Sequence, residues 1–518
     1  MKRYILIPTM LLAPCFLPLL QAQDTYMNER LTNNSSDVIG TARYVGMGGA
    51  LGALGADISV ISWNPAGIGL IRKNDVAFTF GGVWGKSSIK EASRGKATSD
   101  QAGFVINMKT GSESVPYINF SFNFQKKINF FHNFYASNDK LGGLSQMDQV
   151  AELTYWDSGT ENLAGLAIDK EYLNSAIDSE GKKYYYNYYA SYGNKYTHRS
   201  EGSAQSFDFN LSTNINNCAF LGLTVGVDNM NFNELTCYEE FGDADYALSR
   251  NCEVRGTGVN VKLGTIIRPI KDNPFRFGLA VETPTWYRLR NSTWFDFGYD
   301  IREDAALRSY LKFNVRTPWK VRASIGSTVG SVFAWDIDYE FAAYASTSQG
   351  YPSTEYADGS TSGNVKDVDM NDLTSNILRG THTLRVGMEG NATKNLSFRL
   401  GYNLSTSAYE KNVSFDQFNI DSRAMMYATG TNYMRLGATN ILTLGMGYHI
   451  KNFHIDLAYK LRNQFGDFYA FDTRFTNETT GDPVFLNNAP PELTNATIDP
   501  VEVNLTRHAI TCTLGCKF

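Results

Sequence analysis

Ile118-Asn119-Phe120-Ser121-Phe122-Asn123-Phe124-Gln125 alternates without a break between large apolar and polar side chains. Successive residues of a strand point to opposite faces, so this run reads as a strand with one apolar and one polar face. The signature recurs along the chain. Val76, Phe78 and Phe80 alternate with Ala77, Thr79 and Gly81, and Leu221, Leu223, Val225 and Val227 with Gly222, Thr224, Gly226 and Asp228. Phe333, Trp335, Ile337, Tyr339 and Phe341 oppose Asp336, Asp338 and Glu340, while Leu396, Phe398, Leu400 and Tyr402 oppose Ser397, Arg399, Gly401 and Asn403. Counting such segments gives about fourteen strands, an even number. The fold class expected is all-β, a transmembrane antiparallel β-barrel with an N-terminal plug.

A large soluble sandwich or propeller also alternates. Here the apolar faces carry no charge over whole strands, whereas the opposite faces carry ionised residues of both signs. Tyr and Trp recur towards strand ends, as an interfacial girdle requires. Short turns at Lys126-Lys127, Asn216-Asn217, Asp272-Asn273 and Asn452 alternate with long polar connections at 141–201, 231–251, 291–311, 345–379, 409–437 and 471–501.

Composition agrees. The 518 residues include 30 Tyr and 32 Phe yet only 19% charged residues. A mean hydropathy of -0.29 is too polar for a helical membrane bundle. A net charge of -5 leaves no basic footprint for a nucleic acid.

Met1-Lys2-Arg3 and the apolar run Tyr4–Leu20 read as a signal peptide over residues 1–22. Residues 23–74 follow as plug, and 75–518 as barrel. Within the plug, Thr41–Leu70 packs seven glycines into thirty residues. A short glycine-interrupted helix is expected over 41–61, then a turn at Asn64-Pro65. At the other end, Ile510 to Phe518 alternates and closes on an aromatic, the address read by the barrel assembly machinery. Cys237 and Cys252 flank a polar segment and are candidates for a loop disulfide.

Catalytic chemistry finds no foothold. Gly46-Met47-Gly48-Gly49 lacks the preceding strand and third glycine of a dinucleotide fingerprint. Gly85-Lys86-Ser87 lacks the first glycine of a phosphate loop. The six histidines have no metal-ligand spacing. Asp336, Asp338 and Glu340 point one way, as a cation site, an acid pair or, with Lys320 and Arg322, a lumenal charge ladder. No enzyme, cofactor or metal is expected.

Gly46-Met47-Gly48-Gly49-Ala50, the Asp57 segment and Trp63-Asn64-Pro65-Ala66-Gly67 resemble the N-terminal region of the FadL family of outer-membrane transport proteins. Thr283-Pro284-Thr285 and Thr317-Pro318-Trp319-Lys320 also resemble family positions. The resemblance implies a fourteen-stranded barrel in a Gram-negative outer membrane. It would be closed by an N-terminal hatch and carry long-chain fatty acids, related lipids or aromatic hydrocarbons. It makes Gly46, Gly48, Gly49, Asn64, Pro65 and Ala66 the candidate ligand and gating residues. The expected partners are a hydrophobic small molecule, outer-membrane lipids and, through Phe518, the assembly machinery, with a monomer favoured. A family branch serves protein secretion, so a non-transporting barrel of a secretion or surface-assembly system is the alternative.

Overall fold

The computed structural model describes residues 37–85, 95–156, 162–177, 181, 183–270, 273–299, 307–356, 359–410, 429–471 and 498–518. The signal peptide, most of 471–501 and the Lys86-Ser87 dipeptide lie outside them. Fourteen wall strands run antiparallel in chain order. They are β1 (Asp75–Gly85), β2 (Lys96–Lys109), β3 (Tyr117–Asn129 and His132–Asn138), β4 (Ser191–Ile215) and β5 (Ala219–Gly242). Next come β6 (Tyr246–Ile267), β7 (Arg276–Glu282 and Trp286–Phe297), β8 (Leu307–Arg316 and Lys320–Val329) and β9 (Phe333–Ala343). The circuit ends with β10 (Gly380–Asn391), β11 (Leu396–Ser405), β12 (Tyr433–Ile450), β13 (Phe453–Tyr469) and β14 (Val501–Asn504 and Arg507–Lys517). Strand β14 pairs back onto β1, with Phe78 opposite Leu514, so the sheet has no edge. Closure satisfies every wall peptide group within lipid, which an open sheet cannot do.

The outer face shows where the membrane lies. Phe207, Phe209 and Leu211 of β4, Leu221 to Val227 of β5 and Val259 to Leu263 of β6 point outward. Above them the outward positions turn polar at one level, where Gln205 is opposite Asn229 and Asn229 is opposite Thr257. Trp286 and Trp319 stand outward near that boundary, 51% and 52% exposed, as members of an aromatic girdle.

Strands of 25, 24 and 22 residues in β4, β5 and β6 run far beyond the roughly 9–11 residues that cross a bilayer. This corrects the long connections expected at 231–251 and 291–311. Their described residues are largely strand, because the ladder continues after the outward side chains (Asn229, Asn231, Asn233) cease to be apolar. Lys126-Lys127 is likewise no turn. Both parts of β3 pair with β4, with a register shift between Lys126 and Ile128, and Lys127 reaches Asp228 at 2.9 Å. Asn216 and Asn217 do form a tight turn, both at positive φ (50° and 56°), which asparagine tolerates. Cys237 and Cys252 form no disulfide. They lie opposite Ser249 and Glu234 on adjacent strands, Cys237 at an outward and Cys252 at an inward position.

On the long-connection side, helices α1 (Gln146–Trp156) and α2 (Leu163–Asp169) fold over the projecting strands. Leu144, Met147, Val150, Leu163 and Ala167 pack with Phe134, Tyr196, Tyr238 and Phe468. The buried Asp148 accepts from the Ser145 N–H (2.7 Å) and Asn187 Nδ2 (3.0 Å). Burial nonetheless pushes its carboxyl up to about 7, and Glu240 adds in the same direction. A folded-state pKa above the ordinary carboxyl value of 3.8 means the folded layer binds the proton more tightly than the unfolded chain. The stabilisation is present below the unfolded value and is lost as pH rises through the folded one. Hydrogen exchange over 145–151, corrected for its intrinsic rate, is expected to show more protection near about pH 5 than near about pH 8. Asp148→Asn removes the difference; equal protection in the parent protein contradicts the account.

Candidate functional site

An apolar, glycine-rich chain placed in a polar lumen must hide its side chains and satisfy its backbone. Residues 37–74 do both. Val38, Tyr44, Val45, Leu51, Ile58, Val60, Ile61 and Ile68 gather into one core, completed by Ala77, Val105, Ile441 and Ala458 of the wall. Their backbone turns outward onto the wall. In place of one glycine-interrupted helix, the segment has helix α3 (Ala42–Gly46) and two 3₁₀ turns, Ile58–Ser62 and Pro65–Leu70. Side-chain oxygens of Thr41, Asp57 and Asn64 cap the three N-termini, accepting from Tyr44, Ser59 and Ala66 N–H groups.

The wall accepts the segment at its own glycines. Gly48, at φ 64°, lies on Gly401, where a Cβ would overlap the Gly48 nitrogen. A Cβ on Gly46 would stand 3.0 Å from the Gly445 Cα. One on Gly222 would overlap Pro65, and one on Gly264 the Asn64 side chain. All four wall glycines oppose outward-facing leucine or tyrosine neighbours in sequence, so they point into the lumen.

Polar wall side chains complete the seat. Asp338 accepts from the Gly52 N–H (3.1 Å), and Asp336 from those of Ala53 (3.0 Å) and Leu54 (2.8 Å). The strand-borne carboxylates thus hold the inner segment's backbone; Glu340 alone joins a ladder, with Arg322 bridging it and Glu282 at 2.6 and 2.5 Å. Asn119 Nδ2 donates to the Ile68 carbonyl (2.6 Å), and Asn64 Nδ2 to Gly52 (2.8 Å) and wall Thr265 (3.3 Å) carbonyls. Asp37 is clamped by Lys460 (2.6 Å) and Arg507 (2.7 Å), and Arg43 meets Glu389 (3.0 Å). Trp63 lies beneath two guanidinium groups, Arg385 at 3.6 Å and Arg322 at 4.5 Å from its ring centroid.

The six sequence candidates therefore fall into two groups. Gly46, Gly48 and Gly49 lie against β10, β11 and β12; Asn64, Pro65 and Ala66 lie against β4, β5 and β6. Asp336, Asp338, Arg385 and the Asp37 clamp were not foreseen as partners of the segment. Only the shared direction of the β9 carboxylates gave a signal.

Between the segment and the wall lies a cavity of about 90 Å³ bordered by Asp37, Trp63, Lys127, Lys320, Arg322 and Arg385. Thr285 and Thr317 also line it. They belong to the Thr283-Pro284-Thr285 and Thr317-Pro318-Trp319 interruptions, which stand side by side in β7 and β8. The Thr317 N–H donates to the Thr285 carbonyl (3.1 Å), and the Thr285 N–H to Thr317 Oγ1 (2.8 Å). Equal gaps keep both halves of the strand pair in register. On the long-connection side of the cavity the lumen is apolar, with Ile128, Phe130, Met230, Phe232, Leu289 and Phe313 clustered.

The fold and its lumen define an outer-membrane-type barrel with an apolar-cored segment seated inside. No protein-family model and no curated protein matches the sequence. Among solved structures, a FadL homologue of Pseudomonas aeruginosa superposes with a TM-score of 0.52 at 11% identity, over 94% of this chain and 100% of its own. The toluene transporters TbuX of Ralstonia pickettii (0.48, 12%, 93% and 99%) and TodX of Pseudomonas putida (0.49, 10%, 94% and 100%) also match. The chain has the FadL-like fold.

Gly401→Ala is expected to loosen the inner segment by about 1–3 kcal/mol through overpacking while leaving the wall closed. Proteolysis of residues 37–60 should accelerate with heat-modifiable barrel migration unchanged. An unchanged cleavage rate contradicts the close approach. Asp336→Ala strands two buried N–H groups at about 1–3 kcal/mol each and should raise hydrogen exchange at Ala53 and Leu54.

Proposed function

We propose that this protein conducts hydrophobic small molecules, long-chain fatty acids or related lipids, across a Gram-negative outer membrane, with residues 37–74 as the hatch. The observation that carries this reading is the layered lumen: an apolar cluster, then a charged cavity, then the seated segment. That order suits a cargo with an apolar body and a polar head better than a bare hydrocarbon. Fourteen strands enclose more space than wall side chains alone can fill, so removal of the hatch leaves a pore. Its contacts are numerous but local, and cargo entering the cavity beside Trp63 and Arg385 would compete with them. Ala42 to Leu54 then shift and open the path.

Deleting residues 24–60 is expected to raise the conductance of purified protein in planar bilayers several-fold. Unchanged conductance rules out the hatch. Lipid analysis of protein extracted from its own membrane should recover an amphipathic lipid. A co-purifying protein without lipid would favour the secretion reading instead.

A further inference from the structure

The outer face of β6, β7 and β8 carries a row of charge that the lumen does not explain. Just above the apolar band, Arg255, Arg290 and Lys312 all point outward, and register sets Arg290 directly opposite both of the others. Arg288, two residues nearer the band, also points outward. Like charges directly opposite on neighbouring strands destabilise a sheet. The four cations border one groove of about 430 Å³, roofed by Pro352 and Gly359–Thr361.

Protein groups answer only part of this charge. Glu253 pairs with Arg255 at 3.0 Å, and Glu355 pairs with Lys312. Among the described residues Arg288 donates to the Thr361 carbonyl (3.3 Å), and neither Arg288 nor Arg290 meets a carboxylate. These two arginines are the groove's donors for an external anion. Guanidinium forks suit phosphate, which accepts two parallel hydrogen bonds. Immediately beneath, Trp286 lies between Val259 and the outward Arg316, and Val259 lies opposite Val227, so one further cation borders an otherwise apolar stretch of the lipid-facing side. An anionic groove ligand would therefore sit at the membrane interface with apolar wall below it.

We propose that this groove binds the phosphorylated headgroup of a membrane lipid in the leaflet on the long-connection side, with its acyl chains over Val227, Val259 and Trp286. The site does not depend on what crosses the lumen. It is an annular seat that neutralises the cation row and fixes the height of the projecting β4–β6 strands.

The test is native mass spectrometry of the purified full-length barrel titrated with bis-phosphorylated lipid A, with a neutral glycolipid of matched acyl chains, and with inorganic phosphate. The parent should bind the phosphorylated lipid, and Arg288→Gln/Arg290→Gln should bind it about tenfold more weakly or worse, the scale that two interfacial basic side chains set. Heat-modifiable migration checks folding. If the double variant does not fold, Arg290→Gln alone, which loses no carboxylate partner, should still weaken binding. Equal binding by a folded variant, or equal binding of the neutral glycolipid by the parent, overturns the proposal. So does displacement of the lipid by an equimolar amount of inorganic phosphate.

Discussion

Where the inner segment touches the wall, two backbones meet with no side chains between them. Gly48 on Gly401, Gly46 on Gly445 and Pro65 on Gly222 set the distance at which everything else in the lumen must fit. At that distance the segment's N–H and carbonyl groups come within reach of short wall side chains. Asp336, Asp338, Asn119 and Thr443 can then serve as direct partners. The apolar side chains pack on one another and on the few apolar lumenal positions, Ala77, Val105, Ile441 and Ala458, which explains how a stretch with so little charge resides in a lumen lined by ionised residues. A buried peptide group without a partner is costly, so the seat is as much a matter of satisfied backbone as of shape.

The lumenal charges follow from the same arrangement. Burying ions costs desolvation that pairing must offset, and the wall groups occur in hydrogen-bonded sets. Lys262 and Asp208 lie 2.8 Å apart with both side chains fully buried, and Arg399 bridges Glu389 and Asp456 at 2.6 Å each. Several sets include a residue of the segment, as in Asp37 with Lys460 and Arg507 or Arg43 with Glu389. Displacing the segment would break those sets and expose their members to water rather than leave them stranded, because the lumen then fills with solvent. That lowers the penalty for opening compared with a displacement inside a dry core.

Much of the wall was legible in the sequence because lipid imposes a strict demand on every second residue. Ile118 to Gln125 shows it without exception. The demand ends at the level of Gln205, Asn229 and Thr257, and there the reading failed: β5 and β6 continue past it while looking like polar connections. Lys126-Lys127 misled for a related reason. A bulge brings Lys127 to lumenal Asp228, and two lysines in succession resemble a turn. The seat was less visible. The glycines of β5, β6, β11 and β12 could be placed on the inner face, but which of them meet the segment depends on closure of the whole barrel. The stacking of Arg322 and Arg385 on Trp63 joins residues hundreds of positions apart, and no local spacing announces it.

In the proposed function the segment's seat is also its gate. This is tested most directly by joining the two covalently. The side chains of Arg43 and Glu389 meet across the seat at 3.0 Å, so an Arg43→Cys/Glu389→Cys pair in a background with the native cysteines replaced can be joined there by a reducible bis-methanethiosulfonate linker. In liposomes, flux of a fluorescent long-chain fatty acid should fall to background when the linker is in place and return on reduction. Undiminished flux through the cross-linked protein would contradict the account.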